Sequence, residues 1–194
     1  MKNLFLSFVI AGFVFNVSSV KAGASMGKAA ELGLHRVERL VALKKIDETF
    51  ITRLQTITLK MLDPSQNAGA SYSTIIGQQG NEGTDALRIE IKQDGNGRAL
   101  NFTLLPGTAP ANPIMWSAKD PLSLTEMVLH HVTEAGHGDM DFSDFDKGMT
   151  DLTMNPVTTS NGEIAQATIH SSLTTKVLVI WLQMDGTFIS AHIQ

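Results

Sequence analysis

The chain has no cysteine, a single tyrosine and no proline before Pro64. Without cysteine there are no disulfides, no thiol nucleophile, no thiolate zinc site and no lipid anchor on a cysteine, so stability must come from the core alone. Runs of lysine and arginine are also missing. The two close basic pairs, His35-Arg36 and Lys44-Lys45, stand among Glu31, Glu38, Asp47 and Glu48 and read as a solvated, mixed-charge surface, which argues against nucleic acid as a partner. No G-x-S-x-G elbow and no strand-to-helix phosphate loop occurs.

What is present suits one globular domain. Of 194 residues, 43% are apolar and 18% charged, enough to bury a single sizeable core. Residues 1–24 read as a secretory signal peptide: Lys2 gives a positive start, Leu4 to Val17 an apolar run, and Ala22-Gly23-Ala24 a small-residue ending for cleavage after Ala22 or Ala24. That run is short of the roughly 20 residues a membrane span needs, so no stable span is expected after processing and the location is periplasmic or secreted. Lys2 and Lys21 would leave with the leader, and 13 basic against 19 acidic side chains gives a mature charge of −6.

A long helix is expected over 25–62. The stretch from Gly27 to Leu62 has no proline and, after Gly33, no glycine, and its apolar residues keep helical spacing. They change face midway, however. Ala30, Leu34, Val37 and Val41 share one side, whereas Leu43, Ile46, Phe50, Leu54, Ile57 and Met61 lie nearly opposite, with the handover at Leu40 to Lys45. The second stripe is expected to pack on the protein's own sheet. The first, Ala30, Leu34, Val37 and Val41, is expected to meet a partner, most simply a second copy in a homo-oligomer.

The body, 63–194, alternates. Leu87, Ile89 and Ile91 interleave with charged residues, Asp94 to Gly97 offers turn residues, and Leu100, Phe102 and Leu104 return, which makes a hairpin. Strands are also expected near 71–77, 164–171, 176–183 and 187–193. The stretch Lys176 to Gln183 is apolar on both alternating faces, as in a central strand covered on both sides. A second helix begins at Asp120-Pro121 and stops at Gly136. Pro106 to Pro113 reads as an extended loop, and Asp139 to Asn161 as irregular. No internal repeat is visible. The fold class is therefore α+β: a long N-terminal helix and a second helix packed on an antiparallel sheet of five or six strands, forming one domain.

Two chemistries have residues to support them. Tyr72, Trp116, Trp181 and Phe188 fall on strands and their approaches, and an apolar concavity between sheet and helix would use them to bind a small apolar ligand. The segment 130–146 concentrates histidine and aspartate. Within it His137, Asp139, Asp141 and Asp144 are the candidate metal ligands, with calcium the fitting ion, although EF-hand spacing is absent. The expectation is an exported binding or interaction module, with no cofactor required. The competing expectation is a periplasmic hydrolase or metal-dependent enzyme using that segment.

Overall fold

A computed structural model describes residues 23–78, 87–107, 116, 121–134, 136–137 and 139–194. Residues 1–22 of the expected signal peptide 1–24 and most of the Pro106 to Pro113 loop lie outside them. Helix α1 (Met26–Ala42) and a single turn, α2 (Thr49–Thr52), precede strands β1 (Thr56–Met61), β2 (Tyr72–Gly77), β3 (Arg88–Gln93) and β4 (Ala99–Leu105). Helix α3 (Pro121–Thr133), the short pair β5 (Gly136–His137) and β6 (Met140–Asp141), and α4 (Ser143–Gly148) then lead to β7 (Met149–Thr159), β8 (Gly162–Ser171), β9 (Leu178–Gln183) and β10 (Phe188–Ile193). No helix among the described residues is long and apolar enough to cross a membrane.

The architecture is α+β with an antiparallel sheet, but the sheet has eight strands and not five or six, in the order β10-β9-β8-β7-β1-β2-β3-β4. The two strands absent from the sequence expectation, β1 and β7, are the two at its centre. Read outward from that seam, each half is a helical segment followed by a four-strand meander, and the halves meet through Thr56↔Thr153, Ile57↔Leu152 and Thr58↔Asp151. The topology repeats where the sequence shows no repeat.

The expected helix over 25–62 is corrected in the same place. It runs only from Met26 to Ala42, for 17 residues. Ser25 caps its start by accepting from the Lys28 N–H. At its end the Lys44 N–H donates to Val41 O and the Lys45 N–H to Leu40 O, while Lys44 takes φ +54°. That is a Schellman ending with lysine in the position that glycine usually occupies. Beyond it, Thr56-Ile57-Thr58-Leu59 alternates with a period of two, and its β-branched residues suit the strand they form.

The described helices pack on one side of the sheet. The buried side chains of α1, Ala30, Leu34, Val37 and Leu40 among them, join Leu122, Val128, Leu129 and Val132 of α3 and the inward residues of the strands in a single core. Close approach sets the crossing: a Cβ on Gly33 would lie 2.9 Å from Thr74 Cγ2, so glycine lets the helix touch the sheet. Beside it Gln93 is completely buried. Its Nε2 donates to Ala29 O and Gly97 O, both at 2.8 Å, and its Oε1 accepts from Thr74 Oγ1 at 2.6 Å. One side chain thereby ties α1, β2, β3 and the β3–β4 turn together.

The assignment of Ala30, Leu34, Val37 and Val41 to a partner surface does not survive this packing. The first three are wholly buried in the protein's own core, and Val41 packs against it. The two apolar stripes belong to different elements, so neither needs a second molecule. Of the second stripe, Ile46, Phe50, Leu54 and Ile57 are buried as expected, while Leu43 and Met61 are exposed.

Candidate functional site

Strand alternation sorts the sheet into two faces. Ile57, Thr74, Ile91, Leu152, Ala167 and Ile180 point to the helices and belong to the core. Residues of the other parity form a face on which no described helix or strand lies. On the β7–β10 half it carries Val157, Ile164, Thr168, Val179, Trp181 and His192. Trp181 stands between Gln166 and Ser190 on the neighbouring strands, and its ring meets the His192 ring edge-on at 5.0 Å. Val179 is only 4% exposed yet lies outside the core cluster, flanked by Thr168 and His192. This half of the face is therefore packed laterally by its own side chains.

The reading of β9 changes accordingly. Its two apolar faces suggested a central strand covered on both sides, but β9 lies second from the edge, and its Val179 and Trp181 side faces outward. There Val179 is buried by its lateral neighbours, while Val157, Ile164 and Trp181 are half-buried and present an apolar row at the surface, a feature that marks interaction sites.

The β1–β3 half of the same face is charged. Lys60, Arg88 and Lys92 alternate there with Glu90, which accepts a hydrogen bond from Ser73 Oγ at 2.6 Å. At the centre, His170 Nδ1 lies 2.7 Å from Asp151 Oδ1 across β7 and β8, and Thr150 Oγ1 donates to Asp151 Oδ2. Among the described residues, Lys60, Arg88 and Lys92 stand there beside Glu90 and Asp151.

The four candidate aromatic residues do not converge. Tyr72 faces the helices and donates its hydroxyl to Ala24 O at 2.5 Å, so its role is to hold the entry to α1. Phe188 is on the helix side of edge strand β10, with its ring 5.0 Å from that of His131. Trp116 packs against the core. Of the four, Trp181 alone is on the open face, so the described residues set them on both sides of the sheet.

The candidate metal ligands are not gathered either. The His137 side chain lies outside the described residues, and Asp139, Asp141 and Asp144 do not form a trio within ligating distance. Asp141 accepts from the Ser143 N–H at 2.8 Å at the start of α4, and these hydrogen bonds hold its carboxyl below the ordinary range. Asp146 is tied elsewhere, accepting from Ser25 Oγ at 2.6 Å, and burial raises its pKa.

Among the described residues the one group of possible ligands is instead His35, Glu38 and Glu126, whose donor atoms lie within 4.8 Å of one another. His35 Nδ1 is 3.2 Å from Glu126 Oε1, and Nε2 is 3.8 Å from Glu31 Oε1. The group bridges α1 to α3 at the surface, where such pairs contribute about 0–1 kcal/mol. Further along α3, His130 Nε2 lies 3.3 Å from Glu134 Oε1, whereas Glu126 meets His35. A contact between separate helices has no signature in local spacing. Comparisons with protein-family models, curated proteins and solved structures give no match, and the chain is assigned to no family.

Proposed function

We propose that the chain is an exported binding module that engages a partner protein through the helix-free face of its sheet. The observation that carries this reading is the row around Trp181: an indole, with Val179, Ile164 and Val157, on a side of the sheet that the described helices leave open. Tryptophan is enriched among the residues that dominate binding energy at protein interfaces. Lys60 and Lys92, on the β1–β3 half of the same face, suit a partner with an acidic surface beside an apolar ridge, because complementary charge guides encounter and fixes orientation. Export rests on the leader-like pattern of residues 1–24.

The test uses the folded protein as bait, with the captured protein identified and purified. Trp181→Ala is expected to weaken its binding by at least about 2 kcal/mol, the scale of an interface hot spot. Lys92→Glu should slow association, most strongly at low salt. Lys28→Ala, on the exposed side of α1, should change neither. Binding that withstands both Trp181→Ala and Lys92→Glu, with circular dichroism unchanged, removes the sheet face from consideration.

A further inference from the structure

The described arginines are few, and three of them line one pocket. Arg36 and Arg39 project from successive turns of α1, and Arg98 follows the β3–β4 turn. With Leu32, Asn96 and Gly97 they border a pocket of about 470 Å³ on the helix side of the sheet. No carboxylate lines it. Among the described residues none of the three guanidiniums makes an ion pair or a side-chain hydrogen bond, in a chain that carries more acid than base. The acids nearest in sequence bond groups other than the guanidiniums: Glu31 meets Lys28, Glu38 and Glu126 surround His35 at the pocket's rim, and Asp94 Oδ1 accepts from the backbone N–H groups of Asn96 and Arg98.

The two walls of the pocket are held in place from beneath. Gln93 joins Ala29 O of α1 to Gly97 O of the turn, and Gly97, at φ +77°, brings the turn against Leu32. Arg36 and Arg39 on one wall and Arg98 on the other are thus set by a buried polar bridge. Guanidiniums gathered in a pocket whose lining holds no carboxylate repel one another, and a bound anion relieves that repulsion. Guanidinium donors match phosphate oxygens in a two-point geometry, and three cations suit a dianion better than a single carboxylate.

We infer that the pocket formed by Arg36, Arg39 and Arg98 is a binding site for a phosphate group, either free phosphate or the terminal group of a phosphate monoester. It is separate from the sheet face, on the opposite side of the molecule. The free ion and the monoester present the same oxygens, and Leu32 offers an apolar wall to the organic part of an ester.

Calorimetric titration of inorganic phosphate and of phenyl phosphate, in a non-phosphate buffer near neutral pH and at constant ionic strength, tests the site. Saturable binding with a dissociation constant of about 1 mM or tighter is expected for at least one probe. Tighter binding of phenyl phosphate identifies a monoester site; equal binding identifies a site for the free ion. Arg36→Gln and Arg98→Gln remove no intramolecular side-chain bond, so both should fold, and each should weaken binding about tenfold. Lys176→Gln, exposed ahead of β9 and far from the pocket lining, should bind as wild type. No saturable heat with either probe overturns the inference, as does binding that Arg36→Gln and Arg98→Gln leave intact or that Lys176→Gln weakens equally.

Discussion

Gln93 is the polar group on which the joint between helix and sheet depends, and replacing it tests the packing directly. Gln93→Leu keeps similar bulk but removes both donors and the acceptor. Ala29 O keeps its helical partner, whereas Gly97 O loses the Gln93 amide, at a cost of about 1 kcal/mol. The Thr74 hydroxyl, fully buried, is left with no acceptor, which costs about 1–3 kcal/mol. The expected loss is about 3 kcal/mol, a large share of the roughly 5–15 kcal/mol that holds a domain together. Adding Thr74→Val removes the stranded hydroxyl, so the double variant should recover about 1–2 kcal/mol despite carrying more substitutions. Urea denaturation of the four proteins of this cycle gives the numbers, with the slope m checked for constancy. If the two substitutions add within about 0.5 kcal/mol, or Gln93→Leu costs under about 1 kcal/mol, the bridge contributes little and the reasoning fails.

Two further expectations concern single positions. Lys44→Gly should stabilise the fold by about 1 kcal/mol, because it relieves the φ +54° strain at the end of α1 while leaving the backbone bonds of the cap intact; a lower melting temperature would contradict it. Asp146 has its folded pKa raised by burial, so it favours the fold only at low pH, and that contribution is lost as pH rises from its ordinary 3.8 through the folded value. Asp146→Asn keeps an acceptor for Ser25 and should therefore be more stable than wild type at pH about 7 and no more stable below pH about 4, as compared by urea midpoints. Destabilisation at neutral pH would show that charge on Asp146 is favourable.

The elements legible in the sequence were those with local signals. The β3–β4 hairpin, α3 and the meander from β8 to β10 declare themselves through alternation, a turn or a proline start. The centre of the sheet does not. Ile57 and Met61 of β1 fall by coincidence on the helical spacing begun by Leu43, Ile46, Phe50 and Leu54, and the stop that separates them is a lysine in a left-handed conformation, which has no residue signature. In β7, Asp151, Asn155 and Pro156 read as loop residues. Pro156 is tolerated for a reason visible only in space: the Met154 N–H points toward β1 and donates to Gln55 O, so the N–H missing two residues later would have pointed past the end of β1. The free-face patch was half legible. The two-sided apolarity of β9 was visible, but its distance from the sheet's centre depended on the order of strands, which no local pattern encodes.

The seam between β1 and β7 also dictates an order of assembly. Within each meander every strand pairs with its neighbour in the chain, whereas the seam joins segments as far apart as Gln55 and Asn155, whose side chains meet at 2.7 Å across 100 residues. Ser25 and Asp146 close a longer loop of 121. Contacts this distant carry a loop-closure cost that local hairpins avoid, and they form late. Until the second half arrives, the first presents β1 as a bare edge, with Ile57 and Leu59 uncovered beside unpaired backbone groups. Such an edge recruits other chains. The protein's vulnerable species is consequently its own N-terminal half caught waiting, and conditions that delay closure of the seam should convert folding intermediates into aggregates more readily than those that weaken the finished fold.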